Sequence, residues 1–316
     1  MHDFLHHLGL ASPLFLLILL GYGLMRGLGW PRSMSDNLTQ FLFTAALPAM
    51  LFRMMSDFST LPPVDARLLI AFFGSCLIVF AIGRLIAWKY FKLDGVSQSV
   101  FALGGIFSNN VLLGIPLAKM VLGDAALPSV ALVLVFNSLT LWTLVTVSIE
   151  WARHGEFSLR GFAKTIRAVL TNPIVAGIIS GSLFGLSGLP VPELIDTPLR
   201  MLGQAAAPIA LIALGMGLAE YRIQAAWCLS LSISAIKLLL QPLVVWSIAR
   251  LLGLPPLETQ VVVLLGSLAV GANVYLMSRQ FKVLEGAIAG SLVISTLMAA
   301  LSTPLVLALT QGLSKL

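Results

Sequence analysis

The stretch Ser108-Asn109-Asn110-Val111-Leu112-Leu113-Gly114-Ile115-Pro116 lies inside an apolar run from about Val100 to Val121. A run of that length spans the hydrocarbon core of a bilayer as a helix. An ordinary spanning helix does not carry two adjacent amides, a glycine and a proline at its centre. Each Asn brings two donors and an acceptor that hydrocarbon leaves unsatisfied. Pro116 has no N–H and disfavours helical geometry at Ile115. The stretch therefore predicts a helix broken near the midplane by Gly114 and Pro116, its freed backbone lining a polar cavity, because irregular backbone survives at that depth only there. A second such segment, Val270-Gly271-Ala272-Asn273-Val274-Tyr275, lies in the other half of the chain, with Gly271 as its breaker. Paired interrupted spans point to a binding site at the bilayer midplane.

The rest of the chain agrees with a membrane setting. Of 316 residues, 58% are hydrophobic and 10% charged, against about 25% charged in soluble domains. Ten apolar segments of spanning length follow one another, at about 8–26, 37–55, 68–90, 98–121, 126–149, 166–187, 193–219, 224–252, 258–279 and 285–311. No room is left for a soluble domain. The first segment lacks a basic start and a small-residue cleavage site, so it reads as a span rather than a cleaved signal. Cys76 and Cys228 both fall within spans, as buried thiols and not a disulfide framework. His2, His6, His7 and His154 lie outside the spans, and no Cys/His cluster suggests a metal; no cofactor is expected. An intramembrane enzyme would need a nucleophile–base pair or metal ligands within the spans, and neither is present.

The net charge of +6 does not indicate nucleic-acid binding, because the basic residues are scattered over short loops. Most of them, including Arg26, Arg32, Lys89, Lys92, Arg160, Lys164, Arg279 and Lys282, follow odd-numbered spans. The positive-inside rule puts those loops in the cytoplasm. The expectation is a multi-pass protein of the cell (inner) membrane with both termini outside.

The pattern also repeats. A shift of 160 residues carries Ser12-Pro13 onto Asn172-Pro173, Gly21 onto Gly181, Asp36 onto Asp196 and Pro48 onto Pro208; a shift of 163 carries Asn110-Val111 onto Asn273-Val274. Two five-span halves follow, residues 1–150 and 165–316, joined by a cytoplasmic linker at 151–164. An odd number of spans per half inverts the second in the membrane. The expected fold class is all-α transmembrane, ten helices in two inverted repeats, with broken helices in spans four and nine.

Asn-Asn-Val-Leu-Leu-Gly-Ile-Pro-Leu followed by Leu-Gly-Asp-Ala resembles the fourth span of the auxin efflux carrier family, the bacterial relatives of the plant PIN carriers. Leu47-Pro48, Asn172-Pro173, Lys237-x-x-x-Gln241-Pro242 and Gly271-Ala272-Asn273-Val274-Tyr275 resemble it too. One departure is that relatives usually carry a proline before the ninth-span Gly-x-Asn, where this chain has Ala269-Val270. The resemblance implies that the two broken helices cross at the substrate site. It also implies elevator-like movement of one helix group against another, often in a homodimer, and organic anions such as auxin-like acids or malonate as substrates.

Asn109, Asn110 and Asn273 are the main candidates for substrate contact, helped by half-helix N-termini whose partial positive charge suits a carboxylate. The alternative is that they bond freed backbone at the breaks. Asn137 in span five is a further candidate, or interhelical glue; Thr44, Gln204 and Gln241 are weaker ones. Lys237 is the one basic residue near a span's midpoint, where a charge costs about 2.5–3.5 kcal/mol on insertion scales. It either faces the cavity and favours an anion, or bonds backbone carbonyls at a break, or snorkels. No Asp, Glu or His lies mid-span, so a carboxylate proton relay is not expected. The sequence thus predicts a secondary carrier of small organic anions; the rival is a sodium-coupled organic-acid or bile-acid-type symporter of the same plan.

Overall fold

The computed structural model describes residues 2–56, 64–154, 171, 173–220 and 226–314. The loop at 57–63, most of the expected linker (155–164) and Asn172 lie outside the described residues. The regular structure that is described is helical: α1 (His2–Arg26), α2 (Arg32–Ser56), α3 (Arg67–Lys89), α4 (Gly95–Ile106), α5 (Asn110–Leu122), α6 (Leu127–His154), α7 (Pro173–Leu186), α8 (Glu193–Glu220), α9 (Trp227–Leu251), α10 (Pro256–Ser267), α11 (Ala272–Phe281) and α12 (Glu285–Ser314). Five of these, α2, α3, α8, α9 and α12, are long and apolar enough to cross a membrane. Large apolar side chains cover the outside, as at Leu186, Leu194 and Leu251, while Ser75, Lys237 and Gln241 are fully buried. That inversion of the water-soluble pattern is what a bilayer solvent selects. The chain is an all-α, multi-pass membrane protein.

Three of its prolines sit just after a widened helical turn. Such turns run through Leu42–Ala46, Asn110–Gly114 and Ile236–Leu240, two residues ahead of Pro48, Pro116 and Pro242. A proline ring clashes with the carbonyl four residues back and offers it no N–H. Adding a residue to the turn shifts that carbonyl aside, so these helices continue through their prolines.

Two helix pairs are drawn into very close contact by glycine. Gly21 on α1 lies against the carbonyl of Ile212 on α8, and Gly181 on α7 against the carbonyl of Phe52 on α2. A side chain at either glycine would collide with backbone. The two contacts are related residue for residue by the 160-residue shift read in the sequence, since Gly21 maps to Gly181 and Phe52 to Ile212. Arg53 on α2 also forms an ion pair with Asp196 on α8. Thus α1, α2, α7 and α8 form one packed group. In the other, α3 packs on α4 and α9, α9 on α10, and α12 on α9 and α10.

Candidate functional site

Helix α4 stops at Ile106, and Phe107 (φ −82°, ψ 105°) turns the chain into extended backbone. After Asn109 (φ −77°, ψ 62°) helix α5 begins. In the second half α10 stops at Ser267, Leu268 is extended (φ −68°, ψ 160°), and Gly271 (φ −79°, ψ 143°) leads into α11. The two non-helical segments lie against each other as an antiparallel bridge between Ser108 and Val270. The Asn109 N–H donates to the Ala269 carbonyl (3.0 Å) and the Gly271 N–H to the Phe107 carbonyl (2.8 Å). Backbone groups released by the interruption of each helix thus satisfy those of the other, as buried peptide groups require.

The interruption falls at Phe107–Asn109, upstream of the expected breakers. Gly114 has helical dihedrals and Pro116 opens an unbroken helical turn. The widened turn, in which both Leu113 and Gly114 donate to the Asn109 carbonyl (3.2 and 3.0 Å), absorbs the proline. Gly114 serves close approach instead: a Cβ there would stand 2.9 Å from Leu268 Cδ1. Gly271 likewise needs no unusual φ; a Cβ on it would lie 2.9 Å from both Phe107 Cδ1 and the Ser108 carbonyl oxygen.

Between the two junctions is a cavity of about 80 Å³, bordered by Ser108, Asn109, Asn110, Asn137, Gly271, Ala272 and Asn273, with apolar walls from Phe43, Leu134, Ile174 and Val175. Helices α5 and α11 both begin at it, and the first N–H groups of a helix have no acceptor within the helix. Their partial positive charges converge on the cavity. Ser108, Asn109, Asn110 and Asn137 are all buried, and Asn273 is partly buried. Asn110 Nδ2 donates weakly to Asn137 Oδ1 (3.4 Å). The Ser108 hydroxyl and Asn110 Oδ1 are buried with no protein partner. A buried polar atom left unpaired costs about 1–3 kcal/mol, and both of these atoms belong to residues that border the cavity. Among the described residues, every side chain bordering the cavity is uncharged.

Of the sequence candidates, Asn109, Asn110, Asn137 and Asn273 come together here. Lys237 and Gln241 do not. Lys237 is fully buried and donates to the Gly266 carbonyl, while Gln241 Nε2 reaches Ser75 Oγ (3.0 Å) and Cys76 Sγ (3.4 Å). Thr44 is exposed and bonded to the Gln40 carbonyl (2.7 Å). Gln204 borders a second cavity of about 370 Å³, with Arg53, Lys119, Asp124 and Arg200, at the far end of α5. The sequence reading passed over Ser108, although its hydroxyl adjoins the two amides in a non-helical stretch. It also had no signal for Phe43 and Val175, which arrive from the other helix group.

The sequence pattern of a family described as membrane transport protein matches residues 9–307. A relative in Rhizobium meliloti (strain 1021), named "Putative malonate transporter", is 28% identical over 298 residues, 92% of each chain. An uncharacterized transporter of Methanocaldococcus jannaschii is 23% identical over 235 residues, 73% of this chain and 74% of that one.

Proposed function

The chain belongs to the membrane transport protein family, the auxin efflux carrier family of the motif resemblance, and on that premise we propose that this secondary transporter moves a small organic anion, a malonate-like dicarboxylate, through the cavity between the two junctions. The observation that carries the reading is the convergence of two helix N-termini and buried, partly orphaned amides on one cavity bordered by no charged side chain among the described residues. N–H dipoles and neutral amides recognise a carboxylate without a fixed counter-ion that would hold it too tightly for release. A dicarboxylate sets one carboxylate against the start of α5, with Asn110 and Asn109, and the other against the start of α11, with Asn273. The name of the Rhizobium relative agrees with that substrate class.

In this reading α4–α5 and α10–α11 are the broken fourth and ninth spans of two inverted five-helix halves. The reciprocal contacts of Gly21 with Ile212 and of Gly181 with Phe52 support it. The polar part of the cavity belongs to one helix group, and the Phe43, Ile174 and Val175 wall to the other. Sliding the first group along the second would carry the bound anion across, as an elevator does. The basic loops would face the cytoplasm of a cell with this protein in its inner membrane, both termini lying outside, and the family resemblance suggests a homodimer.

The test is a melting series of the purified protein with malonate and with other mono- and dicarboxylates, paired with uptake of labelled malonate into proteoliposomes. A ligand that binds only the folded state raises the melting temperature as its concentration passes the dissociation constant. Malonate is expected to stabilise the protein and to be carried. Stabilisation by none of the carboxylates would overturn the proposal.

A further inference from the structure

Outside the cavity lining, a buried basic residue is left over by this mechanism. Lys237 sits in the widened turn Ile236–Leu240 of α9, is 0% exposed, and donates from Nζ to the carbonyl of Gly266. Gly266 is the penultimate residue of α10. Among the described residues none of the ion pairs includes Lys237. Its polar surroundings are neutral: Gln241 one turn on gives its Nε2 to Ser75 and Cys76, and its Oε1 is buried with no protein partner. A buried ammonium without a carboxylate needs another source of negative potential. The C-terminus of a helix supplies one, equivalent to about half an elementary charge.

A half-helix that ends inside a membrane leaves carbonyl oxygens without intrahelical donors. In carriers built on broken helices, such ends and the unwound carbonyls beside them are where coupling cations are held. Here four of those oxygens have protein donors. Leu264 accepts from the Ser267 hydroxyl (2.9 Å), Gly266 from Lys237, Ser267 from the Thr303 hydroxyl (2.9 Å), and Ala269 from the Asn109 N–H (3.0 Å). One of these four donors is a lysine amine, which brings a positive charge when protonated. The first half has no counterpart, because the 160-residue shift maps Lys237 onto Leu77, an exposed apolar side chain.

We propose that the Lys237 ammonium is a tethered counter-cation for the C-terminal end of α10, occupying the position where a sodium-coupled carrier of this plan would bind its ion, so that the protein binds its substrate without sodium. This rests on the carrier reading for its meaning, but the first measurement below uses no substrate.

Purified full-length protein is melted in sodium, potassium and choline chloride at one ionic strength. The wild type should melt at the same temperature in all three, and so should Lys237→Arg. Lys237→Met should melt lower in choline and gain a few degrees in sodium, as the ion takes up the vacated carbonyl. Malonate should then bind the wild type with equal affinity in sodium and choline. Lys237→Met should bind it at least tenfold more weakly in choline, with recovery in sodium. Sodium-specific stabilisation of the wild type would overturn the proposal, as would a folded Lys237→Met with no response to sodium, or with full affinity in choline. If Lys237→Met does not fold, the wild-type salt comparison and the behaviour of Lys237→Arg still decide it. A wild type that binds malonate in no salt would count against the carrier reading and leave the melting result standing.

Discussion

The α4–α5 and α10–α11 junctions both pass through non-helical backbone between two helices, but they have opposite side-chain economies. At the first, Ser108, Asn109 and Asn110 keep their polar groups at the cavity, and two of these atoms, the Ser108 hydroxyl and Asn110 Oδ1, find no protein partner. At the second, the polar groups are consumed internally: Ser295 accepts from the Val270 N–H (3.0 Å), Thr303 donates to Ser267, and Lys237 donates to Gly266. Asn273 alone carries its amide from this junction to the cavity. The contrast teaches that one junction leaves polar groups unpaired beside the cavity while the other spends most of its own on protein partners.

The largest effect that separates them is on binding. Asn110→Ala removes a buried amide whose oxygen is held in reserve, and a hydrogen bond to a charged ligand is worth about 1.5–3 kcal/mol. Malonate affinity should fall roughly 10- to 150-fold, and Asn273→Ala should cost less, since that side chain is only partly buried. Asn137→Ala, which loses the 3.4 Å bond to Asn110, should have the smallest effect of the three. Titrations of folded variants decide the order. Normal affinity in both Asn110→Ala and Asn273→Ala, with only lower melting temperatures, would make the amides staples of the fold and move the site elsewhere.

A second prediction concerns the glycine on each side. In Gly271→Ala the new methyl meets the Ser108 carbonyl, which the bridge holds fixed, so the substitution should cost about 1–3 kcal/mol of stability by overpacking. In Gly114→Ala the new methyl meets the ends of Leu268 and Leu265, which can turn aside. Its helical dihedrals let alanine recover up to about 1 kcal/mol of helix propensity, and the net change should be near zero. Denaturation in detergent compares the two, and a larger loss at Gly114 would reverse the assignment of the rigid side.

The smallest effect lies at the far ends of the half-helices. Asp94 caps α4 by accepting from the Val96 and Ser97 N–H groups (3.0 Å each), whereas α10 opens at Pro255–Pro256 with no side-chain cap. Asp94→Ala should cost about 1 kcal/mol. The Ser97 N–H bond, ahead of the other contacts, holds the Asp94 carboxyl below its ordinary value. A depressed pKa means that the cap's contribution is complete above the unfolded carboxylate range of about 3.9 and disappears as the pH falls through the lower folded value. The difference in stability between wild type and Asp94→Ala should therefore be constant at neutral pH and narrow only below about pH 4. A difference that narrows already near neutrality would mean that something other than the carboxylate sets it.

How much of this was legible beforehand varies by residue. Asn109, Asn110 and Asn273 stood out because an amide inside an apolar run must bond either a ligand or freed backbone, and all three border one cavity. The break itself was misplaced toward Gly114 and Pro116. A proline signals that a helix must adjust, but a widened turn satisfies it as well as an interruption does, and the choice depends on what lies opposite. Lys237 was recognisable as a buried charge needing a partner. Its partner is a backbone carbonyl on another helix, and a carbonyl has no sequence signature.

The sequence by itself determined that the chain lives in a membrane and that two polar stretches, at residues 108–110 and 271–273, lie inside its apolar runs. It did so because hydrocarbon penalises each unpaired polar group so heavily that composition and position along the chain carry the information. The tertiary structure decided which of those polar groups face the cavity and which face protein. That choice is made by pairing across residues more than 150 positions apart, Ser108 with Val270 and Asn109 with Ala269, and a backbone hydrogen bond is indifferent to the side chains of the residues that make it.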